Sequence, residues 1–436
     1  MKEKIPFIGA LSLILVILCQ GCKEVNESQN IDSEGWYSLF NGKNLTGWTP
    51  NENPETFQVQ DGYIIAEGDR SHLFYTGDIN DAVFRNFELK IELLTHFQAN
   101  SGIYFHTKWQ DEGWPEYGHE IQVNCSHVGA DDYRELKKAG SLYGLRNVYK
   151  SFVEDSTWYE THIKVQGKHV EVWIDGLKTV DYWEPTNPEE TGIGEKKILS
   201  EGAIALQGHD PESRVLIRSI RIKPLPETDN NDPSAHEYPD LYRKMVQKQS
   251  DQFAFIDLHV DKPQGGINQL VKLTYQYGLN LGILQDLDEG MTPRSITNQP
   301  VFNGIMVTPK SDMNQLEMSE VGFDYIIGDV QQSGFSDILD LIKSGRIQIL
   351  SHYSEDLNFS QKLHLIETAV QAGVAFEIDN KKKYPSFDFI REARDRGAQF
   401  SMANLVEDGT LAVNPYIIQV IDSCTLNYKD FYIPGW

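Results

Sequence analysis

Ile163-Lys164-Val165-Gln166-Gly167-Lys168-His169-Val170-Glu171-Val172-Trp173-Ile174-Asp175-Gly176 alternates apolar and polar residues between two glycine turns. Successive side chains of a strand point to opposite faces, so period two marks strands with one buried face. Gly167-Lys168 separates two such runs, and Asp175-Gly176 is a strong hairpin signal. Phe87, Leu89, Ile91 and Leu93 repeat the pattern upstream. Many short strands joined by turns, from Trp36 to about Pro224, predict an all-β sandwich of jelly-roll type.

The pattern changes after Pro224. Glu227-Thr228-Asp229-Asn230-Asn231-Asp232-Pro233-Ser234 reads as a polar linker within 225–249, and Asp240–Gln249 as a short helix. From 250 to 436 strands alternate with helices: strands at Phe253–Leu258, Leu279–Leu284, Asn303–Val307, Tyr325–Ile327, Ile347–Leu350, Ala375–Ile378 and Gln399–Met402 are interleaved with helices such as Ile267–Tyr277, Ser360–Ala372 and Tyr416–Ser423. This rhythm predicts an α/β domain with a mostly parallel sheet, closing as a distorted (β/α) barrel.

The first residues read as an export signal. Lys2 and Lys4 precede an apolar run, Phe7–Cys19, that is short for a bilayer span, and the run ends in Cys19-Gln20-Gly21-Cys22. The ending resembles a bacterial lipobox. It implies a leader over 1–22, lipidation of Cys22, a membrane lipid anchor and a polar tether over 23–34. Lys23 after the cysteine favours the outer membrane.

Composition narrows the partners. The chain has 436 residues, 40% hydrophobic and 24% charged, which is ordinary for a globular protein. Asp and Glu number 64 against 39 Lys and Arg, a formal net charge of -25 that disfavours nucleic acid. Cys125 and Cys424 are left beyond the leader; they leave a bridge open without implying one, and no Cys/His zinc spacing occurs. Nothing in the sequence specifies an oligomeric state.

Several strands carry polar residues on one face. Glu120, Gln122 and Asn124 oppose His119, Ile121 and Val123, and Tyr104 shares a face with His106, opposite Ile103 and Phe105. Gln207 and His209 oppose Ile204 and Leu206. Arg218 falls on the side of Leu216, Ile220 and Ile222, where a buried guanidinium needs a partner such as Glu120.

Leu39-Phe40-Asn41-Gly42-Lys43-Asn44-Leu45-Thr46-Gly47-Trp48, Ala99-Asn100-Ser101-Gly102-Ile103-Tyr104-Phe105, the Glu120-x-Gln122 strand, Gly140-Ser141-Leu142-Tyr143, Gly202-Ala203-Ile204-Ala205-Leu206-Gln207-Gly208-His209 and Arg218-Ser219-Ile220-Arg221-Ile222-Lys223 follow in order. As a set, over about 35–224, they resemble the 3-keto-disaccharide hydrolase domain, a concanavalin-like jelly roll. The resemblance implies a carbohydrate substrate and glycoside cleavage by C2 deprotonation, β-elimination and hydration. This differs from the two-carboxylate route of ordinary glycosidases. On this reading His209 or Glu120 is the base. Arg218, Gln122 or a bound divalent cation steadies the oxyanion. Asn100, Tyr104, His106, Gln122, Tyr143 and Gln207 line the sugar site. The competing reading is a non-catalytic sugar-binding module in which Trp109, Trp114 and Tyr143 stack on pyranose rings.

Phe255-Ile256-Asp257-Leu258-His259-Val260-Asp261, Ile349-Leu350-Ser351-His352 and Phe376-Glu377-Ile378-Asp379-Asn380 resemble strands of the PHP (polymerase and histidinol phosphatase) barrel. Asp261 stands where that family has a second histidine, and Ser401-Met402-Ala403-Asn404 replaces its closing Ser-Asp-Ala-His. The resemblance implies a degenerate PHP-like barrel with most ligands lost. His259, Asp261, His352, Glu377 and Asp379 are the set left to hold one metal at its rim, which keeps a metal-dependent hydrolase open as a third reading.

Overall fold

A computed structural model describes residues 31–129, 133–186, 188, 196–228, 240–249, 253–260, 266–285, 300–309, 323–354, 356–407, 410–412 and 416–435. The expected leader, Cys22 and most of the tether lie outside these residues. Among the described residues no helix is long and apolar enough to cross a membrane.

The first half is a two-sheet antiparallel sandwich. One sheet runs through β11 (Leu177–Trp183), β10 (His169–Ile174), β9 (Tyr159–Gln166), β6 (Phe87–Thr95), β13 (Val215–Pro224), β4 (Tyr63–Ala66) and β3 (Phe57–Gln60), with β1 (Tyr37–Ser38) also on β13. The other runs β2 (Trp48–Pro50), β5 (Ser71–Tyr75), β12 (Ala203–Gly208), β7 (Asn100–Thr107) and β8 (His119–Asn124). The alternation read from the sequence fills the space between them: Phe87, Leu89, Ile91, Ile163, Val165, Val170 and Val172 from one sheet meet Leu73, Ile103, Phe105, Ile121 and Leu206 from the other.

Seven parallel strands close the second half into a barrel: β14 (Ile256–His259), β15 (Asn280–Gln285), β16 (Phe302–Val307), β17 (Tyr325–Asp329), β18 (Ile349–Ser351), β19 (Ala375–Asp379) and β20 (Phe400–Ala403). Helix α1 (Asp240–Gln249) precedes it, and α2 (Gly266–Tyr277), α3 (Phe335–Lys343), α4 (Phe359–Ala372), α5 (Phe387–Asp395) and α6 (Tyr416–Ser423) belong to it. Leu281, Ile283, Ile326, Leu350 and Phe376 cluster with helix residues Leu270, Ile342, Leu365 and Phe389. The alternate positions, Ile256, Leu258, Tyr325, Ile327 and Ile349, form a separate cluster that fills the lumen. Cys125 and Cys424 are both buried and free.

Arg218 departs from the expected pattern. The pairing of β13 with β6 shifts register between Ile217 and Ser219, so a bulge turns Arg218 out of the apolar face. Its guanidinium is exposed, pairs with Glu92 at 2.8 Å and covers Trp158. The expected burial, the partnership with Glu120 and the oxyanion role fail together, because Arg218 belongs to the other sheet.

Candidate active site

The outer face of the five-stranded sheet is built by register. Phe74 pairs with Ala205, Ala205 with Tyr104, and Tyr104 with Glu120, which makes one row across four strands. His72 pairs with Gln207 and Gly102 with Gln122, giving the next row. Asn100 pairs with Asn124 in a third. A stripe of amides and a carboxylate would be an ordinary solvated face if exposed. Here Tyr104, Gln122, Gln207, Asn100 and His72 are all buried.

Two hydrogen-bond chains organise this face. The Tyr104 hydroxyl donates to Glu120 Oε2 at 2.8 Å and accepts from Gln207 Nε2 at 3.1 Å. Gln207 Nε2 also lies 3.4 Å from Glu120 Oε1. Burial pushes the Glu120 carboxyl from 4.5 up to about 7, against the stabilising bond from Tyr104. Across Gly102, the absence of a side chain makes room for this carboxylate: a Cβ there would sit 2.4 Å from Glu120 Oε1.

The second chain runs Gln122 to Asn100 to His209 to Asp210. Gln122 Nε2 donates to Asn100 Oδ1 at 2.6 Å, and Asn100 Nδ2 lies 3.0 Å from His209 Nε2. His209 Nδ1 lies 2.5 Å from Asp210 Oδ2. A consistent assignment puts the proton on Nδ1, donated to Asp210, and leaves Nε2 to accept from Asn100. Burial pulls Asp210 upward, but the bonds from His209 and Ser213 hold it down at about 2, so it stays ionised. Trp114 stands 5.2 Å from the His209 ring and is half-exposed.

His72 carries no alternation signal, because Ser71-His72-Leu73-Phe74-Tyr75 is buried throughout. Its ring lies edge-on to Tyr104 and Trp114, and burial lowers it to about 3, so it is neutral. Both of its ring nitrogens, and the Oε1 atoms of Gln122 and Gln207, are buried with no hydrogen-bond partner. Buried polar atoms normally find partners, so this face keeps unused hydrogen-bonding capacity. Glu135 also lay beyond the sequence reading, being in a loop. It is buried, accepts from the hydroxyls of Tyr133 and Tyr143, and raises Glu120 further.

The other expected residues divide. Tyr143 stands at the edge of the site, its backbone N–H donating to the Glu120 carbonyl oxygen at 2.9 Å. His106 does not join it. Its φ of 53° breaks the alternation, and its ring packs against Phe87 and Phe105 with Nε2 2.9 Å from Arg85 O, so the expected shared face with Tyr104 is corrected. In the barrel, His259 Nδ1 meets Glu377 Oε2 at 2.7 Å, Ser351 donates to Glu377 Oε1 at 2.6 Å, and His352 Nδ1 meets Asp329 at 2.9 Å. Asp379 accepts from the Lys382 backbone, and Asp261 lies outside the described residues. Among the described residues, three donors gather at metal-binding separation at His169, Glu171 and Asp181 rather than at this rim. There Lys178 Nζ already bridges both carboxylates, at 2.5 and 3.0 Å. Among the described residues the barrel donors form these separate pairs rather than one cluster at metal-binding separation.

A half-buried carboxyl near neutrality thus stands beside an oriented imidazole and open amide acceptors. Residues 35–223 match the 3-keto-alpha-glucoside-1,2-lyase-like domain. Two candidate glycosyl hydrolases from Parabacteroides distasonis resemble this part of the chain. One shares 23% identity over 44% of this chain and 95% of its own, at TM-score 0.39; the other shares 25% over 44% and 99%, at TM-score 0.34. The carbohydrate-binding module CBM66 from Bacillus subtilis shares 12% identity over 40% and 94%, at TM-score 0.28. Likenesses of this degree carry no functional argument. No match was found among curated proteins.

Proposed function

We propose that the chain cleaves 3-keto-glycosides at the outer face of the five-stranded sheet. The observation that carries this is Glu120: half-buried, held by Tyr104 and Gln207, and lifted to about 7. A carboxylate of that basicity suits removal of a proton made acidic by a neighbouring ketone. Glu120 takes the C2 proton, and the C2–H electrons form the C2–C3 enolate. The enolate collapses to restore the C3 carbonyl, forms the C1–C2 double bond and expels the C1 substituent with its electron pair. Water then adds at C1 and a proton returns to C2, giving the free 3-keto sugar. Solvent protonates the leaving oxygen, and His209, its Nδ1 set by Asp210 and its Nε2 without a proton, is placed to accept a proton from the attacking water. The open Oε1 acceptors of Gln122 and Gln207 and the neutral imidazole of His72 serve the substrate hydroxyls.

Supporting a second reading, sugar binding without turnover, Trp109 and Trp114 are exposed near this face. The leader motif supports an exported, Cys22-anchored protein at the outer membrane, and the barrel's strand motifs support descent from a PHP-like domain. The test is the full chain with a 3-keto-glucoside and its unoxidised parent. Release of the aglycone from the keto form alone supports the enzyme, and its loss in Glu120→Gln assigns the base. Saturable sugar binding with no release supports the binder.

A further inference from the structure

The segment from 133 to 150 touches both domains. On the sandwich side it runs along the open edge of β8. Gln122 N donates to Ser141 O at 3.0 Å, Gly140 N to Gln122 O at 3.1 Å, Ala139 N to Asn124 O at 2.8 Å and Tyr143 N to Glu120 O at 2.9 Å. The stretch therefore acts as a further pairing partner for the strand that carries Glu120 and Gln122. The same segment supplies Glu135 and Tyr143 to the site.

On the other side it enters the barrel. Leu136 and Tyr149 belong to the lumen cluster with Ile256, Leu258, Phe302, Tyr325 and Ile349. Tyr149 N donates to Asn280 Oδ1 at 3.3 Å, Asn280 Nδ2 donates to Asn147 O at 2.8 Å, and Lys150 Nζ pairs with Asp324 at 2.6 Å. Asn280 opens β15 and Asp324 directly precedes β17, so the plug enters the N-terminal mouth of the barrel, opposite the rim of His259 and Glu377. Between the two attachments Arg146 is buried. It bonds Tyr242 of α1, Leu145 O and Tyr275 O, and lies against the rings of Tyr182 and Tyr242. Gly278 gives it room, since a Cβ there would meet Arg146 Cδ at 2.7 Å.

We infer that the barrel serves the sugar site as a clamp: by holding Leu136, Asn147, Tyr149 and Lys150 at its N-terminal mouth, it keeps the 133–150 segment, with Glu135 and Tyr143, pressed against the strand that carries Glu120. The site is then complete only in the two-domain chain. The residues at the mouth are positioning residues and touch no substrate. This rests on the reading of the sandwich face as the keto-glycoside site. It assigns the barrel a part in that chemistry that needs no metal at its rim.

The test uses the full chain with Asn280→Ala and Asp324→Ala combined, both remote from the sheet face. Ile390→Val in α5, buried but away from the segment, controls for general loss of stability. The clamp requires a loss of at least tenfold in kcat/KM for the 3-keto-glucoside, faster amide exchange at 139–143, and an acid limb of the pH profile moved to lower pH as Glu135 leaves Glu120. The titratable and charged neighbours of Glu120 are Tyr104, His209, Lys197 and Glu135, with Tyr133 and Tyr143 beyond, and the segment carries Glu135 and both of these last. General destabilisation, as in Ile390→Val, does not move that limb. Activity within threefold of wild type overturns the inference, whether or not the amides loosen. If the wild type cleaves no keto-glycoside, the functional reading fails and exchange alone decides the clamp: loosening at 139–143 upholds it and unchanged protection overturns it. Should the double variant not fold, Lys150→Ala removes the ion pair alone and is read by the same criteria.

Discussion

Gly102→Ala is the sharpest perturbation available at the site. The new Cβ would stand 2.4 Å from Glu120 Oε1 and 3.0 Å from its Cδ and Cγ, where ordinary contact begins at 3.4 Å. The carboxylate must move by about 1 Å, away from the Tyr104 hydroxyl at 2.8 Å and Gln207 at 3.4 Å. A displacement of that size in a reacting group costs on the order of 100-fold in rate, or about 2.7 kcal/mol. Gly102 is not among the residues with positive φ, so alanine introduces no backbone strain. It should stabilise by about 0.4–1 kcal/mol through the unfolded chain. Losing the Tyr104 bond costs about 1–3 kcal/mol. The protein thus stays folded, within a few degrees in Tm, while kcat/KM for aglycone release from a 3-keto-glucoside falls about 100-fold. A variant within threefold of wild type would show that Glu120 is not where the chemistry happens.

Other outcomes follow from the same geometry. Glu120 titrates at about 7 when folded against 4.5 when free, so its contribution to stability is present below 4.5 and lost as pH rises through 7. Glu120→Gln should therefore abolish turnover yet unfold at higher denaturant than wild type at pH 8, by roughly 3 kcal/mol at most; equal stability at both pH 5 and pH 8 would refute the shift. Wild-type activity should climb with pH through about 7 as this base ionises. His72→Leu removes two unpartnered buried nitrogens, so stability should hold or rise by about 1 kcal/mol while sugar affinity measured by calorimetry falls; unchanged affinity would take His72 out of the site. Arg218→Ala should leave activity intact and cost no more than about 1 kcal/mol, since its pair with Glu92 is exposed. Arg146→Ala strips partners from Tyr242, Leu145 O and Tyr275 O, and a loss of about 3–5 kcal/mol in a urea melt is expected.

How far the sequence reached is a matter of backbone regularity. Where alternation is unbroken, as in β6, β9 and β10, burial in the structure follows it residue by residue. The same rule put Glu120 and Gln122, Tyr104, and Gln207 on the polar faces of their own strands, while Asn100 came only from the family resemblance. It failed where the backbone leaves period two: the bulge at Arg218 and the positive φ at His106 each turn a side chain to the other face. His72 escaped for a different reason, since a strand buried on both faces shows no alternation to read. The βα rhythm located all seven barrel strands. It could not show that Leu136 and Tyr149 plug the barrel, because that contact joins residues more than a hundred positions apart in a segment without regular structure.

The central claim, elimination through C2 rather than direct hydrolysis, is tested most directly by running the full chain with a 3-keto-glucoside in D2O and following the product by proton NMR. The first turnovers are read before the free keto sugar exchanges on its own. Removal of the C2 proton and its later return from solvent require deuterium at C2 of the released 3-keto sugar, absent in Glu120→Gln. Cleavage with the original C2 proton retained, or equal cleavage of the unoxidised glucoside, would contradict the mechanism.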